Sequence, residues 1–472
     1  MPVKYFIHTT HTPPRYRPVG KLGIVDWRED CSSCHNCVKR SCVYGFYRDE
    51  LDCLRDERGY LDYIYQCNGC LVCVQECTKN ILTRTVNPEY ELLGDEYYTP
   101  EIILSTWYQS ETGCIPVSGA GYGGKFTGSG FNSMWTDMSE IVRPTRDGIH
   151  GREYINTSVD IGRKLNHLSF QDKELASTPP PRIESPMPLL FDCIPEYYHR
   201  GAVLEGIVQA ASRMNLFTIL RQKDISGLRV EGKKIIPLIE SSDACKNDLF
   251  ADAPMIIFYD SDDVMTTIKA RKRQNPDQII AIRLPATPTA HKRMRALAHE
   301  GAEVINIEFD KHGKEKAASN PRHMRDVLRQ IHGDLTKEGI RDEITLIASG
   351  GIALPEYMAK AVICGADLIG IDLPLLIALE CRLCNECAHG QRCQIKLEEI
   401  DASYAVSRIT NLIAAWRNQL LEMLGAMGIR EVRRLRGETG RCMFFEDLEE
   451  ETFAPLFGKR RAQNNDARRG MV

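Results

Sequence analysis

The chain lacks several features that would assign it quickly to a class of proteins. Its 472 residues contain 60 lysines and arginines against 64 aspartates and glutamates, so no basic excess marks a nucleic-acid-binding protein. The N-terminal stretch MPVKYFIHTTHTPPRYRP has no apolar core of the kind that a secretory signal requires. The most apolar window, residues 361–379, is interrupted by Asp367, Asp372 and Pro374, which are costly in a membrane. We therefore predict a cytoplasmic protein without a membrane span.

Cysteine, by contrast, is abundant. The chain has 18 cysteines, and twelve of them fall into three tight groups. The first two groups share a repeated spacing, Cys31-x2-Cys34-x2-Cys37-x4-Cys42 and Cys67-x2-Cys70-x2-Cys73-x3-Cys77. In a chain without a secretory signal, such spacing indicates metal or cluster ligation rather than disulfides.

The spacing of these two groups predicts two [4Fe–4S] clusters. Three cysteines at every third position bind one face of a cubane, whereas the lone fourth cysteine reaches the other cluster. Zinc is the alternative, but tetrahedral zinc sites use pairs of cysteines and would leave the third of each triplet unused. Residues 1–90 are therefore predicted to be a ferredoxin-like, electron-conducting domain. Its two clusters are assigned to Cys31, Cys34, Cys37 and Cys77, and to Cys67, Cys70, Cys73 and Cys42.

Residues 91–185 are predicted to be a connector rich in glycine and proline. The glycine-rich segment, residues 115–130, lacks the preceding strand and following helix that a dinucleotide site requires. We therefore expect an irregular loop that packs closely against another part of the chain. The proline-rich stretch STPPPRIESPMP, residues 177–188, marks a domain boundary.

Residues 186–395 alternate short apolar runs with helical stretches. The runs are nearly continuous in valine, isoleucine and leucine, as buried parallel strands are. Eight such runs over ~200 residues predict an α/β fold, a (β/α)8 TIM-type barrel with its site at the carboxyl ends of the strands. Ser261 is expected to cap one helix, Gly301 to end another and Pro355 to open a third. The predicted strands are residues 188–193, 216–220, 235–239, 255–259, 279–284, 304–309, 345–348 and 368–371.

The last two strands end in turns typical of a phosphate site. Ser349-Gly350-Gly351 follows the seventh strand, and Gly370 lies in the eighth. Barrels of this kind hold phosphate at the turns after their last strands, where backbone N–H groups are exposed. The chain then runs into the third cysteine group, Cys381-x2-Cys384-x2-Cys387-x5-Cys393.

This stretch resembles the end of the FMN-binding domain of glutamate synthases, in the archaeal-type form that carries a ferredoxin-like module. The resemblance rests on Gly350-Gly351-Ile352, Gly365-Ala366-Asp367, Gly370 and residues 376–381. It implies FMN, with its phosphate on the turn after the seventh strand, and Arg283 beside the flavin pyrimidine. It also implies a [3Fe–4S] cluster on three cysteines, whereas Cys384 can supply the fourth ligand of a [4Fe–4S] cluster. The implied ligands are Ser349, Gly350, Gly351, Gly370 and Arg283 for FMN, and Cys381, Cys387 and Cys393 for the cluster.

Three turns depart from the family pattern. Asp372 follows the last strand, where its carboxylate would repel a flavin phosphate. The turn after the sixth strand, residues 309–313, is not glycine-rich, and Cys193-Ile194-Pro195-Glu196 replaces a small-residue turn after the first. Side chains and charge thus lie where bare backbone meets FMN in the family. His312 is expected to be an exposed loop residue or a substrate contact.

Residues 396–472 are predicted to form a C-terminal helix followed by a flexible tail. Apolar residues recur at helical spacing from Val406 to Met427, and Gly428 ends the pattern. The final stretch, KRRAQNNDARRGMV, has too little apolar content to fold by itself.

Two hypotheses of function follow. The first is an iron–sulfur oxidoreductase that passes electrons from the ferredoxin-like module through the third cluster to a flavin, converting 2-oxoglutarate and ammonia to glutamate. Because the chain begins Met1-Pro2-Val3, without a catalytic cysteine, ammonia would come from solution or from a separate glutaminase subunit. The second is a flavin-free, degenerate barrel that serves as an electron-transfer subunit of a larger redox complex. Both require a redox partner protein or further subunits.

Overall fold

The computed structural model describes only part of the chain. Five predicted cluster ligands lie outside the described residues, namely Cys31, Cys37, Cys42, Cys67 and Cys70. Residues 459–472, the predicted tail, lie outside them as well. The described residues are 5–16, 19–25, 34, 71–80, 84–115, 128–136, 154–165, 167, 169–175, 179–228, 234–240 and 250–458.

Before the barrel, the residues that the structure describes form short strands and three α-helices. The strands pair as antiparallel ribbons, β1 with β2, β4 with β7 and β5 with β6, whereas β3 pairs with a strand near the C-terminus. The strands are β1 (Leu22–Val25), β2 (Arg84–Val86), β3 (Met134–Thr136), β4 (Val159–Ile161), β5 (Phe170–Gln171), β6 (Glu174–Leu175) and β7 (Ile183–Ser185). The helices are α1 (Val72–Gln75), α2 (Pro88–Glu91) and α3 (Pro100–Thr112).

The next eight strands close into a parallel barrel, which confirms the predicted (β/α)8 fold. The last strand pairs with the first, Ile369 with Leu189 in register, and this pairing closes the sheet. The strands are β8 (Leu189–Phe191), β9 (Thr218–Arg221), β10 (Ile235–Ile239), β11 (Met255–Tyr259), β12 (Ile279–Pro285), β13 (Val304–Glu308), β14 (Thr345–Ser349) and β15 (Leu368–Ile371).

Helices lie between most of these strands. Pro355 opens one helix, as predicted, because a proline at the first helical position gives up no intrahelical hydrogen bond. Gly301 follows the end of another with φ +102°, also as predicted. The expectation for Ser261 is wrong, since the helix begins only at Val264. The helices are α4 (Val203–Arg213), α5 (Gln222–Ile225), α6 (Val264–Gln274), α7 (Ala290–His299), α8 (Met324–Lys337), α9 (Pro355–Ile363) and α10 (Leu373–Ala378).

A long C-terminal helix, α11 (Ala402–Ala426), packs against the barrel and against α3 and α4. The predicted end at Gly428 is confirmed, because this glycine has the left-handed φ of +69°. A Cβ at Gly206 of α4 would lie 2.4 Å from the Cβ of Ala405, so this glycine allows the two helices to approach closely. The chain then forms β16 (Cys442–Phe444), α12 (Phe445–Leu448) and α13 (Ala454–Phe457).

Among the described residues, most buried apolar side chains form one large cluster that runs from the barrel into α3 and α11, and Val208, Leu220 and Ile235 form a smaller one. Within the described ranges, no helix has both the length and the apolar character needed to cross a membrane.

Candidate functional site

An ion pair is buried at the carboxyl ends of the barrel strands. Arg283 of β12 is 4% exposed, and its Nη1 donates a 2.7 Å hydrogen bond to Oδ1 of Asp192, next to β8. Its Nη2 donates to Oε1 of Glu308, at the end of β13, over 2.8 Å. Burial acts to raise the pKa of Asp192, but the charge of Arg283 and its hydrogen bond hold this pKa below the usual range. The arginine predicted to face a flavin is thus neutralised by two carboxylates.

The interior next to this ion pair is filled by Ser349 and Gly370. The hydroxyl of Ser349 accepts a 3.2 Å hydrogen bond from Nδ2 of Asn306. A Cβ added at Gly370 would lie 2.4 Å from Oγ of Ser349 and 3.0 Å from Oδ2 of Asp192. Glycine is therefore required here by neighbouring side chains of the barrel itself.

The predicted phosphate turn, Gly350-Gly351, packs against the loop that follows β13. Its two glycines have φ values of +94° and +70°. A Cβ at Gly350 would lie 2.6 Å from the carbonyl oxygen of Phe309, and one at Gly351 would lie 2.1 Å from the backbone nitrogen of Gly313. These close backbone contacts require glycine at both positions, so no ligand is needed to explain why the two residues are glycines.

Asp372 lies at the N-terminus of α10, directly after β15. The residue is partly buried, and burial raises the pKa of its carboxyl group to about 6, opposed by a hydrogen bond from the N–H of Leu373. One carboxyl oxygen, Oδ1, has no hydrogen-bond partner among the described residues. The negative charge predicted for this turn is therefore present, in an environment that favours its neutral form.

Residues 95–98 of the connector cover this end of the barrel. The hydroxyl of Tyr97 donates to the carbonyl of Gly351. Oδ2 of Asp95 lies 2.8 Å from Nε2 of His312 and 3.2 Å from Nζ of Lys311. His312 is half-buried in this contact, and no substrate is needed to explain it. Burial, and then the charge of Asp372, raise the pKa of the fully buried Tyr98.

The five residues predicted to contact FMN therefore lie at the same end of the barrel, but they mostly contact other parts of the protein. Arg283 is paired twice, the glycine turn packs on a loop, and Asp372 places a carboxyl group where the phosphate would bind. These internal contacts and the nearby carboxyl groups oppose the binding of a flavin phosphate at this end of the barrel.

The third cysteine group forms a pocket beside the barrel. Cys381, Cys384, Cys387 and Cys393 line it together with Tyr198 of the loop that follows β8. Burial raises the pKa of Cys381 to about 12 and that of Cys387 to about 11. The backbone winds through left-handed φ values at Leu383, Asn385 and Gly390, which turn the chain around the pocket. Nowhere in the described ranges do three His, Cys, Asp or Glu residues form a group that could hold a single metal ion.

The segments that flank the N-terminal cysteines adjoin this pocket. Nε of Arg15 lies 3.2 Å from Oε2 of Glu380, and its Nη2 donates to the carbonyl of Ile395 over 2.8 Å. After the second cysteine group, the N–H of Gly94 donates a 3.0 Å hydrogen bond to the carbonyl of Arg382. The chain is therefore held to both ends of the third group. Of the first two groups, only Cys34, Cys73 and Cys77 are described.

Fold and site together define an α/β barrel with a cysteine-lined pocket on its flank. The family model for the "Conserved region in glutamate synthase" matches residues 222–430. The archaeal-type glutamate synthase [NADPH] of Dehalococcoides mccartyi is 25% identical over 88% of this chain and 93% of its own length. The archaeal glutamate synthase [NADPH] of Archaeoglobus fulgidus is 23% identical over 93% of this chain and 96% of its own length. These matches confirm the predicted resemblance to the glutamate synthase family.

Among solved structures, a flavocytochrome b2 variant with benzoylformate has a TM-score of 0.41 at 12% identity, covering 72% of this chain and 86% of that chain. This likeness is distant.

Proposed function

We propose that the chain is an iron–sulfur oxidoreductase of the glutamate synthase family. The observation that carries the proposal is the pocket formed by Cys381, Cys384, Cys387 and Cys393 on the flank of the barrel. The match to glutamate synthases along most of the chain supports the same reading. In this proposal residues 1–90 form the two-cluster domain, 91–185 the connector, 186–395 the barrel with the third cysteine group, and 396–472 the C-terminal helix and tail.

The spacing of the cysteines favours a cluster over zinc. Tetrahedral zinc sites use pairs of cysteines, whereas Cys381, Cys384 and Cys387 recur at every third position and would leave one cysteine of a pair-based site unused. In a cubane each cysteine binds a different iron atom, so such a run can be used in full. Cys384 supplies the fourth ligand of a [4Fe–4S] cluster, whereas a [3Fe–4S] cluster needs only the other three.

Electrons would pass between the N-terminal clusters and this third cluster. The contacts of Arg15 with Glu380 and Ile395, and of Gly94 with Arg382, support this route because they hold both flanks of the N-terminal module against the pocket. Iron–sulfur clusters carry one electron at a time, and a redox partner protein would supply them. The conversion of 2-oxoglutarate and ammonia to glutamate consumes two electrons and two protons and releases water. Ammonia would come from solution or from a separate glutaminase subunit.

A second candidate function is an electron-transfer subunit whose barrel holds no flavin. The buried carboxyl group of Asp372 and the double pairing of Arg283 favour it, because both oppose the binding of a flavin phosphate. The resemblance to glutamate synthases favours the first candidate.

Cofactor content tests both candidates. Full-length protein is purified without oxygen, and its iron, acid-labile sulfide and extractable flavin are measured. About twelve irons per chain are expected from three [4Fe–4S] clusters, or about eleven with a [3Fe–4S] third cluster. One FMN per chain supports glutamate synthesis, and iron without flavin supports the electron-transfer subunit. Zinc in place of iron overturns both.

A further inference from the structure

A second pocket lies at the end of the barrel opposite the paired Arg283. Asp367 lines this pocket and directly precedes β15, so the pocket opens at the end of the barrel where the strands begin. The connector contributes Asp160 and Lys164 to its lining, and the segment after α11 contributes Arg433 and Arg436. Three separate parts of the chain therefore meet at this pocket.

Carboxylates hold the two arginines in place. Nη1 of Arg436 donates a 2.6 Å hydrogen bond to Oδ1 of Asp367, and its Nη2 pairs with Asp342. Nη2 of Arg433 lies 3.3 Å from Oδ1 of Asp160. Each guanidinium carries five N–H donors, so these contacts leave donors of both arginines available.

Lys164 is the cation of this pocket that remains unpaired. Its backbone N–H donates a 2.7 Å hydrogen bond to the carbonyl of Glu343, which fixes the residue in the wall. Its ammonium group has no hydrogen-bond or salt-bridge partner within the described part of the chain. Burial lowers its pKa, and the charges of Asp367 and Asp160 oppose this shift without a direct contact to the ammonium group.

In the lining itself, the three cations Lys164, Arg433 and Arg436 face the two carboxylates Asp160 and Asp367. Asp342 and Glu184 outside the lining also contact the two arginines, and Arg341 contacts Asp367, so Lys164 is the lining cation without a carboxylate in direct contact. A bound anion would pair with the lysine and accept hydrogen bonds from the remaining guanidinium donors. Apolar residues such as Val362 close the pocket and limit the size of its ligand.

We propose that this pocket binds a small oxyanion, inorganic phosphate or the carboxylate of a small metabolite, with Lys164 as its principal partner. The ligand would connect the connector, the barrel and the C-terminal segment, and so would stabilise the folded chain. The proposal is independent of the iron–sulfur assignment, because none of its residues belongs to the cysteine groups or to the end of the barrel that holds Arg283.

Thermal unfolding of the full-length protein tests this site. The midpoint is measured with increasing potassium phosphate, potassium succinate or potassium chloride at matched ionic strength, and affinity is measured by equilibrium dialysis with radiolabelled phosphate. We expect one phosphate per chain and a midpoint that rises with phosphate or succinate but not with chloride. Whichever anion binds more tightly, phosphate or succinate, identifies the class of oxyanion. A midpoint that responds equally to all three salts overturns the proposal.

Two lysine variants provide the specific control. Lys164→Met should weaken phosphate binding at least tenfold, whereas Lys173→Met, in the turn between β5 and β6, should leave it unchanged. Without added anion, Lys164→Met should unfold at the same temperature as the parent protein or higher, because it removes an unpaired cation. A lower midpoint would show that Lys164 has a structural role and would contradict the proposal, as would unchanged phosphate binding.

Discussion

Arg283 of the fifth barrel strand and Asp192 next to the first form an ion pair across the barrel, with Nη1 and Oδ1 2.7 Å apart. The guanidinium is 4% exposed and also bonds to Glu308. The pair therefore joins strands that are not neighbours in the sheet. It gives the guanidinium two carboxylate partners at this end of the barrel.

Replacing Arg283 with methionine should strongly destabilise the chain. The substitution leaves Asp192 buried without its cation, and removing one partner of a buried ion pair typically costs about 3–5 kcal/mol. The free energy of unfolding in urea measures this loss. Arg295→Met is the matched control, because its pair with Glu338 is half-exposed and should contribute little to stability. Equal losses of unfolding free energy in the two variants would show that the buried ion pair contributes no more to stability than the exposed one.

Asp372 gives the chain a stability that depends on pH. Because burial raises its pKa to about 6, the folded protein binds a proton that the unfolded chain releases near pH 4. Stability therefore falls as pH rises from about 4 through 6, and the whole penalty is present at pH 8. Asp372→Asn should stabilise the chain by about 3 kcal/mol at pH 8, with a difference that shrinks towards pH 5.

Urea unfolding of the parent and the Asp372→Asn protein at pH 5, 6, 7 and 8 measures this difference. A difference that is constant across the series would exclude titration of Asp372 as its cause. The same variant removes the negative charge at the start of α10, so flavin content should rise in Asp372→Asn if that charge is what opposes FMN.

The contact between Asp95 and His312 holds the connector over the end of the barrel. Asp95→Ala removes the partner of His312 and Lys311 and the acceptor of two backbone N–H groups, at Tyr97 and Tyr98. Hydrogen exchange should then accelerate at least tenfold in residues 95–98 and in the loop after β13, while β11 and β12 keep their protection. Glu96→Ala, an exposed neighbour, is the control. Unchanged hydrogen exchange in Asp95→Ala would mean that other contacts hold residues 95–98 over the end of the barrel.

The barrel could be predicted from sequence because its signal is local. Runs such as Ile235–Ile239 and Met255–Tyr259 are continuous in large apolar residues, and the observed strands have those bounds. Pro355 and Gly428 mark helix ends through backbone geometry alone. The prediction that Ser261 caps a helix is wrong, because serine is also common in loops and the helix starts three residues later, at Val264.

The contacts at the end of the barrel could not be predicted in the same way. Tyr97 reaches Gly351 across 254 positions of sequence, and nothing near either residue marks the other. The positive charge of Arg283 was expected to face a flavin, whereas the fold brings two carboxylates to it. One signal was available, since Asp192 and Glu308 also stand at predicted strand ends and so converge on that arginine.

The central claim is that the cysteine pocket beside the barrel holds an iron–sulfur cluster. The most direct test is the iron content of anaerobically purified full-length protein, compared between the parent chain, Cys381→Ser and Cys114→Ser. We predict that Cys381→Ser loses three to four irons per chain and the corresponding paramagnetic signal, whereas Cys114→Ser, an exposed cysteine outside the groups, keeps both. Equal iron in all three proteins, or zinc in place of iron, would contradict the account.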